Sequence, residues 1–67
     1  MRYWLKEIRI KCGYTVKSLA TDVGISESYY EKIERGERNA PVKTAKKIAE
    51  VLGFDWQIFF EEETKGA

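Results

Sequence analysis

Histidine is absent from this chain of 67 residues, and cysteine occurs once, at Cys12. Without histidine, the usual zinc sites, the Ser/His and Cys/His pairs of nucleophilic catalysis and the commonest general base cannot be built. A single cysteine excludes an intrachain disulfide, which agrees with a reducing compartment. We therefore expect no enzyme, no cofactor and no metal site, and we interpret Cys12 as an ordinary residue near a helix end.

Long apolar runs are also lacking. No stretch approaches the ~18 residues of a membrane span, and the segment from Met1 to Trp4 does not begin a signal peptide. The composition, 43% hydrophobic and 34% charged, is typical of a soluble globular domain. We expect a cytoplasmic protein without a membrane partner. A single small domain also offers no evident place for a small-molecule ligand.

The net charge is only +1, which at first argues against a nucleic-acid partner. Three glutamates (61–63) and Lys65 lie in the last seven residues, so the part before them carries 11 basic and 8 acidic residues, a net charge of +3. The placement of these charges therefore matters more than their sum. A chain this short buries only about 60% of its unfolded surface, which makes an oligomer a reasonable expectation.

Four glycines divide the chain into helical segments. Each follows a run in which apolar residues recur every three or four positions, and glycine is the favoured residue just after a helix end. These glycines are Gly13, Gly24, Gly36 and Gly53. The helical segments before them are 4–12, 16–23, 27–35 and an apolar stripe over 42–52, with Pro41 expected in the first turn of the last.

A fifth helix is predicted from Trp56 to about Glu62, capped by Asp55. No alternating strand pattern and no repeat occurs. The sequence therefore predicts an all-α fold, a compact five-helix bundle in one domain (1–62), followed by a short polar tail (63–67).

The segment from Thr15 to Gly36 contains two short helical patterns around which the other predicted helices would pack. Thr15 and Ser26 stand where two short helices begin, with side-chain oxygens suited to cap backbone amides. Because Ser18, and not an acid, lies three residues after Thr15, we expect the full capping box to be missing. The joint at Gly24 is too tight for an ordinary loop. The pattern predicts a helix-turn-helix whose second helix contacts the partner.

An ordered set of motifs resembles the Cro/CI-type phage repressor helix-turn-helix domains, also called the XRE family. The carriers are LKEIR at 5–9, Gly13, Thr15, LA at 19–20, VGIS at 23–26, IERGER at 33–38 and KKIAEVLG at 46–53. The likeness covers residues 4 to about 60. It implies a lambda-repressor-like DNA-binding domain, with the helix-turn-helix at helices 2–3, that binds double-stranded DNA as a homodimer on roughly palindromic sites.

The resemblance implies that the start of helix 3 enters the major groove, where Glu27, Ser28, Tyr29 and Lys32 would read bases. Lys32 can donate to guanine O6 and N7, Ser28 can donate or accept, and Glu27 can accept from cytosine N4. The alternative is that these are solvated helix residues, with Glu27 favoured by the positive end of the helix dipole.

Phosphate contacts are expected at helix starts and in the loop after helix 3. The candidates are Thr15, Lys17, Ser26, Arg35, Arg38, Asn39 and Lys43. The alternative is a scattered basic surface. The sequence departs from the family at two positions that affect phosphate binding. Val16 replaces a glutamine that often contacts phosphate. Ala40-Pro41 replaces the usual Pro-Ser, which removes a hydroxyl cap.

Two further features follow from the resemblance and from composition. The resemblance implies a structural ion pair between Arg9 and Glu34.

Four large apolar residues, Trp56, Ile58, Phe59 and Phe60, exceed what one helix face can bury. We expect at least two of the three aromatic residues to close the core and the remainder, with Ile58, to form a dimer interface.

These observations predict a prophage-type transcriptional regulator, most simply a repressor that binds a palindromic operator as a dimer. Antitoxins and restriction-modification controller proteins share this type of domain and remain alternatives. A protein-interaction module with little DNA binding is a third reading, favoured by the low net charge and by the aromatic helix 5.

Overall fold

A computed structural model describes the backbone of residues 1–65 and the side chains of residues 1–61. Over that range the fold is all-α, with five helices and no strand. They are α1 (Tyr3–Lys11), α2 (Val16–Val23), α3 (Glu27–Arg35), α4 (Val42–Leu52) and α5 (Ile58–Lys65). The predicted five-helix architecture is confirmed, and α2 and α3 have the predicted bounds.

Left-handed glycines follow the first four helices, as the sequence predicts. Gly13, Gly24, Gly36 and Gly53 have φ angles of 80°, 87°, 82° and 80°. Glycine adopts this region without the steric cost that a Cβ would add. These helix ends are therefore fixed by local backbone chemistry before any tertiary contact is considered.

The start of α5 differs from the prediction. The Asp55 side chain accepts a hydrogen bond from the Gln57 amide at 3.0 Å, as predicted for a cap. The first backbone bonds after it span only three residues, such as Ile58 N to Asp55 O at 3.1 Å, so residues 55–57 form a turn and the helix begins at Ile58. The helix also continues to Lys65, beyond the predicted domain end at 62. Residues 66–67 of the predicted tail lie outside the described residues.

The entry to α4 is shifted by one residue. Pro41 is the N-cap and Val42 the first helical residue, whereas we expected Pro41 inside the first turn. The Pro41 carbonyl accepts the first helical bond, from the Ala45 amide at 2.8 Å. Proline has no side-chain acceptor, so α4 begins without a side-chain cap, in agreement with the loss of the hydroxyl noted above.

The core lies where α2, α3 and α4 meet under α1 and α5. Its fully buried members come from all five helices: Leu5, Leu19, Tyr30, Ile33, Ala45, Ile48 and Phe59. An aromatic cluster closes one end, because the Trp4 ring packs edge-on against Phe54 and Phe59 at 5.4 and 5.1 Å between centroids. Cys12 is exposed at the C-cap of α1.

Candidate nucleic-acid interface

The joint between α2 and α3 is a tight turn held by backbone bonds. The carbonyl of Ala20 accepts from the amides of both Gly24 (2.8 Å) and Ile25 (3.0 Å), which closes the end of α2. Ala20 is 2% exposed, and its small side chain lets the two helices approach closely. Ser26 Oγ then accepts from the Tyr29 amide at 3.1 Å and caps α3. The start of α3 is therefore fixed relative to α2.

This arrangement leaves one side of α3 open. Glu27, Ser28 and Lys32 are exposed, whereas Tyr30 and Ile33 on the other side are fully buried. Ser28 and Lys32 are four residues apart and therefore neighbours on one helix face. The structure thus brings the predicted base-reading residues together on the first two turns of α3, and we call Ser28 and Lys32, with Glu27, the reading face.

Tyr29 differs from the other candidates for base reading. Its ring is half-buried and packs against the core, and the Arg38 guanidinium lies over it at 5.6 Å from the ring centroid. This is a distance at which a cation is attracted to an aromatic face. Tyr29 and Arg38 therefore form one unit, although they were predicted to have separate roles toward bases and phosphates.

The start of α2 contains a capping box, and the prediction that it is missing was wrong. Thr15 Oγ1 accepts from the Ser18 amide at 3.0 Å, and Ser18 Oγ accepts from the Thr15 amide at 2.9 Å. The Ser18 hydroxyl thus replaces the usual carboxylate. Thr15 Oγ1 also contacts Ser18 Oγ at 3.0 Å, so the threonine hydroxyl is occupied inside the box. A phosphate at this helix start would be met by backbone amides and by the exposed Lys17.

The remaining candidates for phosphate contact are exposed and come from three segments. Arg35 lies on α3 and pairs with Glu31 at 3.8 Å, a long and solvent-exposed contact. Arg38 and Asn39 lie in the α3–α4 loop (36–41). Lys43 lies on the first turn of α4, where it lines a surface depression together with Gly24 of the α2–α3 turn.

Sequence reasoning missed two cations near this surface. Lys47 lines the same depression as Lys43, and its four-residue spacing from Lys43 was the available signal. Arg2 is 6% exposed. It donates from its side chain to the carbonyls of Ile33 and, at 3.0 Å, Arg38, so it links the first residues of the chain to the end of α3 and the α3–α4 loop.

The ion pair implied by the resemblance is present and is part of a larger network. Arg9 Nε donates to Glu34 Oε1 at 2.8 Å, and Tyr30 donates its hydroxyl proton to the same oxygen at 3.0 Å. Arg9 Nη1 also donates to the Tyr14 carbonyl at 2.9 Å. The hydrogen bond to Glu34 raises the pKa of Arg9. Burial, followed by the nearby Glu34 charge, raises the pKa of Tyr30 well above its usual value.

The four residues predicted for a dimer interface divide into two groups. Phe59 is 2% exposed and belongs to the core, so it has no surface for a second copy. Trp56, Ile58 and Phe60 are half-buried. Trp56 and Phe60 pack edge-on at 5.7 Å and line a shallow hollow together with Val42, which is 48% exposed.

The described part of the chain contains neither a metal-binding cluster of side chains nor a membrane-spanning helix. Among residues 1–61, no three or more Cys, Asp or Glu side chains are grouped so that they could hold a metal ion. None of the helices over the described residues has the length and hydropathy needed to cross a membrane.

Comparisons with known proteins agree with this geometry. A helix-turn-helix family model matches residues 5–59. The chain is 48% identical over 68 residues to the uncharacterized HTH-type transcriptional regulator YqaF of Bacillus subtilis (strain 168), a match that covers 97% of this chain and 90% of YqaF. No solved structure matches the chain with significance.

Two further relatives are more distant. The HTH-type transcriptional regulator SlrR of Bacillus subtilis is 39% identical over 57 residues, which covers 84% of this chain and 38% of SlrR. An uncharacterized HTH-type transcriptional regulator of Archaeoglobus fulgidus is 36% identical over 69 residues, covering 98% of this chain and 99% of that protein.

Proposed function

Because the chain belongs to the XRE-type helix-turn-helix family of transcriptional regulators, we propose that it is a repressor of the prophage type that binds a palindromic operator as a homodimer. The observation that carries this proposal is the exposed reading face on α3. Cations from three other segments accompany that face: Lys17 on α2, Arg38 in the α3–α4 loop and Lys43 on α4.

The reading face has the chemistry to discriminate base pairs. Lys32 donates to O6 and N7 of guanine, and Ser28, one turn earlier, donates to or accepts from a neighbouring base edge. Glu27 is the first residue of α3, where its charge suits the positive end of the helix. On DNA it accepts from cytosine N4, because an acid placed among phosphates without such a partner would be repelled.

The basic residues around this face position the protein without reading sequence. Lys17, Arg35, Arg38 and Lys43 neutralise phosphates, and each neutralised phosphate releases counterions and makes binding weaker as salt rises. Ser26 and Asn39 contribute hydrogen bonds to phosphate oxygens, and Thr15 contributes the helix start that it caps. These contacts set the register in which α3 lies in the groove.

A second copy would dock on α5. Ile58 and Phe60 on α5, and Trp56 in the turn before it, are half-buried apolar residues, and Ile58 does not pack against the core cluster. A homodimer of helix-turn-helix domains would bind two half-sites about 10 base pairs apart, or a multiple of the helical turn. The single exposed cysteine and the absence of histidine agree with a cytoplasmic regulator and with no catalytic role.

Selection of bound sites from a random oligonucleotide pool tests the proposal directly. We expect recovered sequences with two-fold symmetry and a half-site spacing near one helical turn. Fluorescence anisotropy on the selected duplex should then show affinity that falls steeply with salt. Lys6→Ala serves as a matched control for Lys32→Ala, because Lys6 is exposed on α1 and has no proposed contact.

Three outcomes would contradict the proposal. Selection that yields no enriched sequence, together with no binding to random DNA at low salt, would favour a protein-interaction module that uses α5. Enriched sites without two-fold symmetry would contradict the homodimer. If the recovered DNA binds equally well to wild type and Lys32→Ala, Lys32 does not read a base and the role assigned to the reading face is wrong.

A further inference from the structure

Arg2 occupies an unusual place for a charged residue near the start of a chain. It is 6% exposed, and a buried guanidinium must be satisfied by hydrogen bonds or countercharge. Its backbone amide donates to the Glu34 carbonyl at 2.8 Å. Its side chain donates to the carbonyls of Ile33 and Arg38 and, at the longer distance of 3.4 Å, to Asn39 Oδ1.

These partners form two groups. Ile33 and Glu34 belong to the last turn of α3, where the helix dipole is negative, so a cation is favoured there. The Ile33 carbonyl also accepts from the Gly36 amide at 3.1 Å, so it receives a backbone donor and the Arg2 side chain together. Arg38 and Asn39 belong to the α3–α4 loop. Charged donors make stronger hydrogen bonds to such carbonyls than neutral donors do. Arg2 therefore ties the loop to the helix end.

The Arg2 guanidinium also lies over a core aromatic ring. Its central carbon lies 5.6 Å from the centre of the Phe59 ring, and Phe59 is 2% exposed. A core aromatic on α5 thus supports the side chain that holds the loop. Arg2 is the N-cap residue of α1. Its single side chain therefore connects the start of α1 with α3, the α3–α4 loop and α5.

The contacts of Arg2 restrict what the loop can present to a ligand. With its carbonyl held by Arg2, Arg38 is fixed at the backbone, and its guanidinium is placed over the Tyr29 ring. Asn39 uses its amide oxygen toward Arg2, which leaves the amide nitrogen as the donor toward solvent. Both loop residues are thereby presented as hydrogen-bond donors, which is what a phosphate requires.

We propose that Arg2 is a positioning residue for phosphate contact: it does not touch DNA, but it holds the α3–α4 loop so that Arg38 and Asn39 meet the backbone in one geometry. This inference rests on the proposed function, since it assumes that the loop faces phosphates. Preordering the backbone at Arg38 and the side chain of Asn39 reduces the entropy lost when the loop is immobilised on binding.

The test compares Arg2→Met with Lys6→Met in full-length protein. Both variants lose one positive charge close to α1, but only the first loses the loop contacts. We expect Arg2→Met to bind selected and random duplexes about tenfold more weakly at a temperature where it is fully folded, with unchanged base preference. Lys6→Met should bind like wild type, because Lys6 is exposed and outside the loop.

A double-mutant cycle separates positioning from a structural role. In the Arg38→Ala, Asn39→Ala background, the loss caused by Arg2→Met should largely disappear, because the side chains that it positions are gone. An undiminished loss in that background would overturn the proposal. So would a loss in Arg2→Met no larger than in Lys6→Met.

Amide hydrogen exchange without DNA provides an independent readout. We expect Arg2→Met to exchange faster in the α3–α4 loop, with core amides such as those of Leu19 and Ile48 unchanged. Acceleration throughout the chain would indicate a merely structural role and would overturn the proposal. If the wild type binds no DNA, the proposed function fails and the phosphate role of Arg2 fails with it, while the exchange rates still decide whether Arg2 orders the loop.

Discussion

Arg9 and Glu34 form an ion pair that is almost entirely shielded from water. The Arg9 Nε to Glu34 Oε1 distance is 2.8 Å, and the two side chains are 11% and 7% exposed. The pair joins α1 to the last turn of α3, the helix that carries the reading face. A second pair on the same helix, Arg35 with Glu31, is 58% and 44% exposed at 3.8 Å.

These two pairs should differ sharply in their effect on stability. Arg9→Ala leaves the Glu34 charge buried without its cation, which typically costs about 3–5 kcal/mol. Arg35→Ala removes a similar side chain from a solvated pair and should cost no more than about 0.5 kcal/mol. Urea unfolding followed by circular dichroism measures both. Equal midpoints for the two variants would mean that the buried pair has no structural role.

Tyr30 should make stability fall at alkaline pH. Burial raises its pKa in the folded chain above the value near 10 of an unfolded chain. The contribution is fully present below pH 10 and is lost as pH rises above it, because the unfolded chain then releases the tyrosine proton first. The slope is at most about 1.4 kcal/mol per pH unit. Urea unfolding between pH 9 and pH 11 measures it.

Tyr30→Phe is the control for this pH dependence. The variant keeps the ring but removes the hydroxyl that donates to Glu34, so it should be less stable by about 1 kcal/mol at neutral pH. Above pH 10 its stability should fall less steeply than that of wild type. Parallel curves for the two proteins would assign the alkaline loss to other groups.

Lys32 and Arg38 should separate base reading from phosphate contact. Lys32→Ala should cost roughly 1–3 kcal/mol of binding free energy and relax preference at one base pair. Arg38→Ala should weaken all sequences similarly and reduce the salt slope by about one phosphate contact. Competition anisotropy with single-base variants of the selected site gives both quantities. A change of base preference in Arg38→Ala would reverse these assignments.

Tyr29 should act on DNA through Arg38. Tyr29→Phe keeps the aromatic face under the guanidinium and should bind DNA like wild type. Tyr29→Leu removes that face and should weaken binding by about 0.5–1 kcal/mol on every sequence. The measurement is anisotropy on selected and random duplexes. If Tyr29→Phe alone loses preference at one base pair, its hydroxyl reads that base directly.

Ile58 offers a test of the dimer that leaves the core intact. It is the first residue of α5 and is not packed against the core cluster, and an acid is favoured at the start of a helix. Ile58→Asp should therefore keep the wild-type unfolding midpoint but sediment as a monomer. Phe59→Ala, by contrast, empties a core position and should cost about 3–5 kcal/mol. A wild type that is monomeric at high concentration, both free and on DNA, would contradict the dimer.

The sequence predicted the helix-turn-helix well because local chemistry defines it. Thr15 and Ser26 cap their helices through hydroxyls, and Gly24 ends α2 in the left-handed region, so the bounds of α2 and α3 depend on short-range contacts. The exposure of Ser28 and Lys32 on one side of α3 agrees with these bounds, because the two residues are spaced by one helical turn. Their role in base reading came from the resemblance and stays a prediction.

The errors arose where one residue type has two roles. Asp55 makes the expected capping bond, yet the backbone bonds that follow it span only three residues, so a turn precedes α5 and the helix begins at Ile58 instead of Trp56. Ser18 was interpreted as a residue unable to complete a capping box, yet its hydroxyl accepts the bond that a carboxylate would take. In both cases the path of the backbone decides which bond the side chain makes.

Arg2 could not be predicted because its partners are remote in sequence and its shorter hydrogen bonds go to backbone carbonyls. The carbonyl of Ile33 lies 31 residues further along the chain, and every residue type has a carbonyl. The contact between Tyr29 and Arg38 was hidden for a related reason, since the path of the α3–α4 loop sets it. Contacts between residues that are distant in sequence, such as those of Arg2 with backbone carbonyls, can be seen in the structure but not in the sequence.

The two tryptophans lie in different environments, and this gives the protein a pair of natural fluorescent probes. Trp4 packs edge-on against Phe54 and Phe59 at the closed end of the core, so its emission responds to loss of the fold. Trp56 lies in the turn before α5 and packs beside Phe60 in the shallow hollow, with the Lys46 ammonium 5.0 Å from its ring centre. Its emission responds to whatever covers that surface. Replacing either tryptophan by phenylalanine leaves a single emitter, so loss of the fold at Trp4 and the covering of the surface at Trp56 can each be followed without any attached dye.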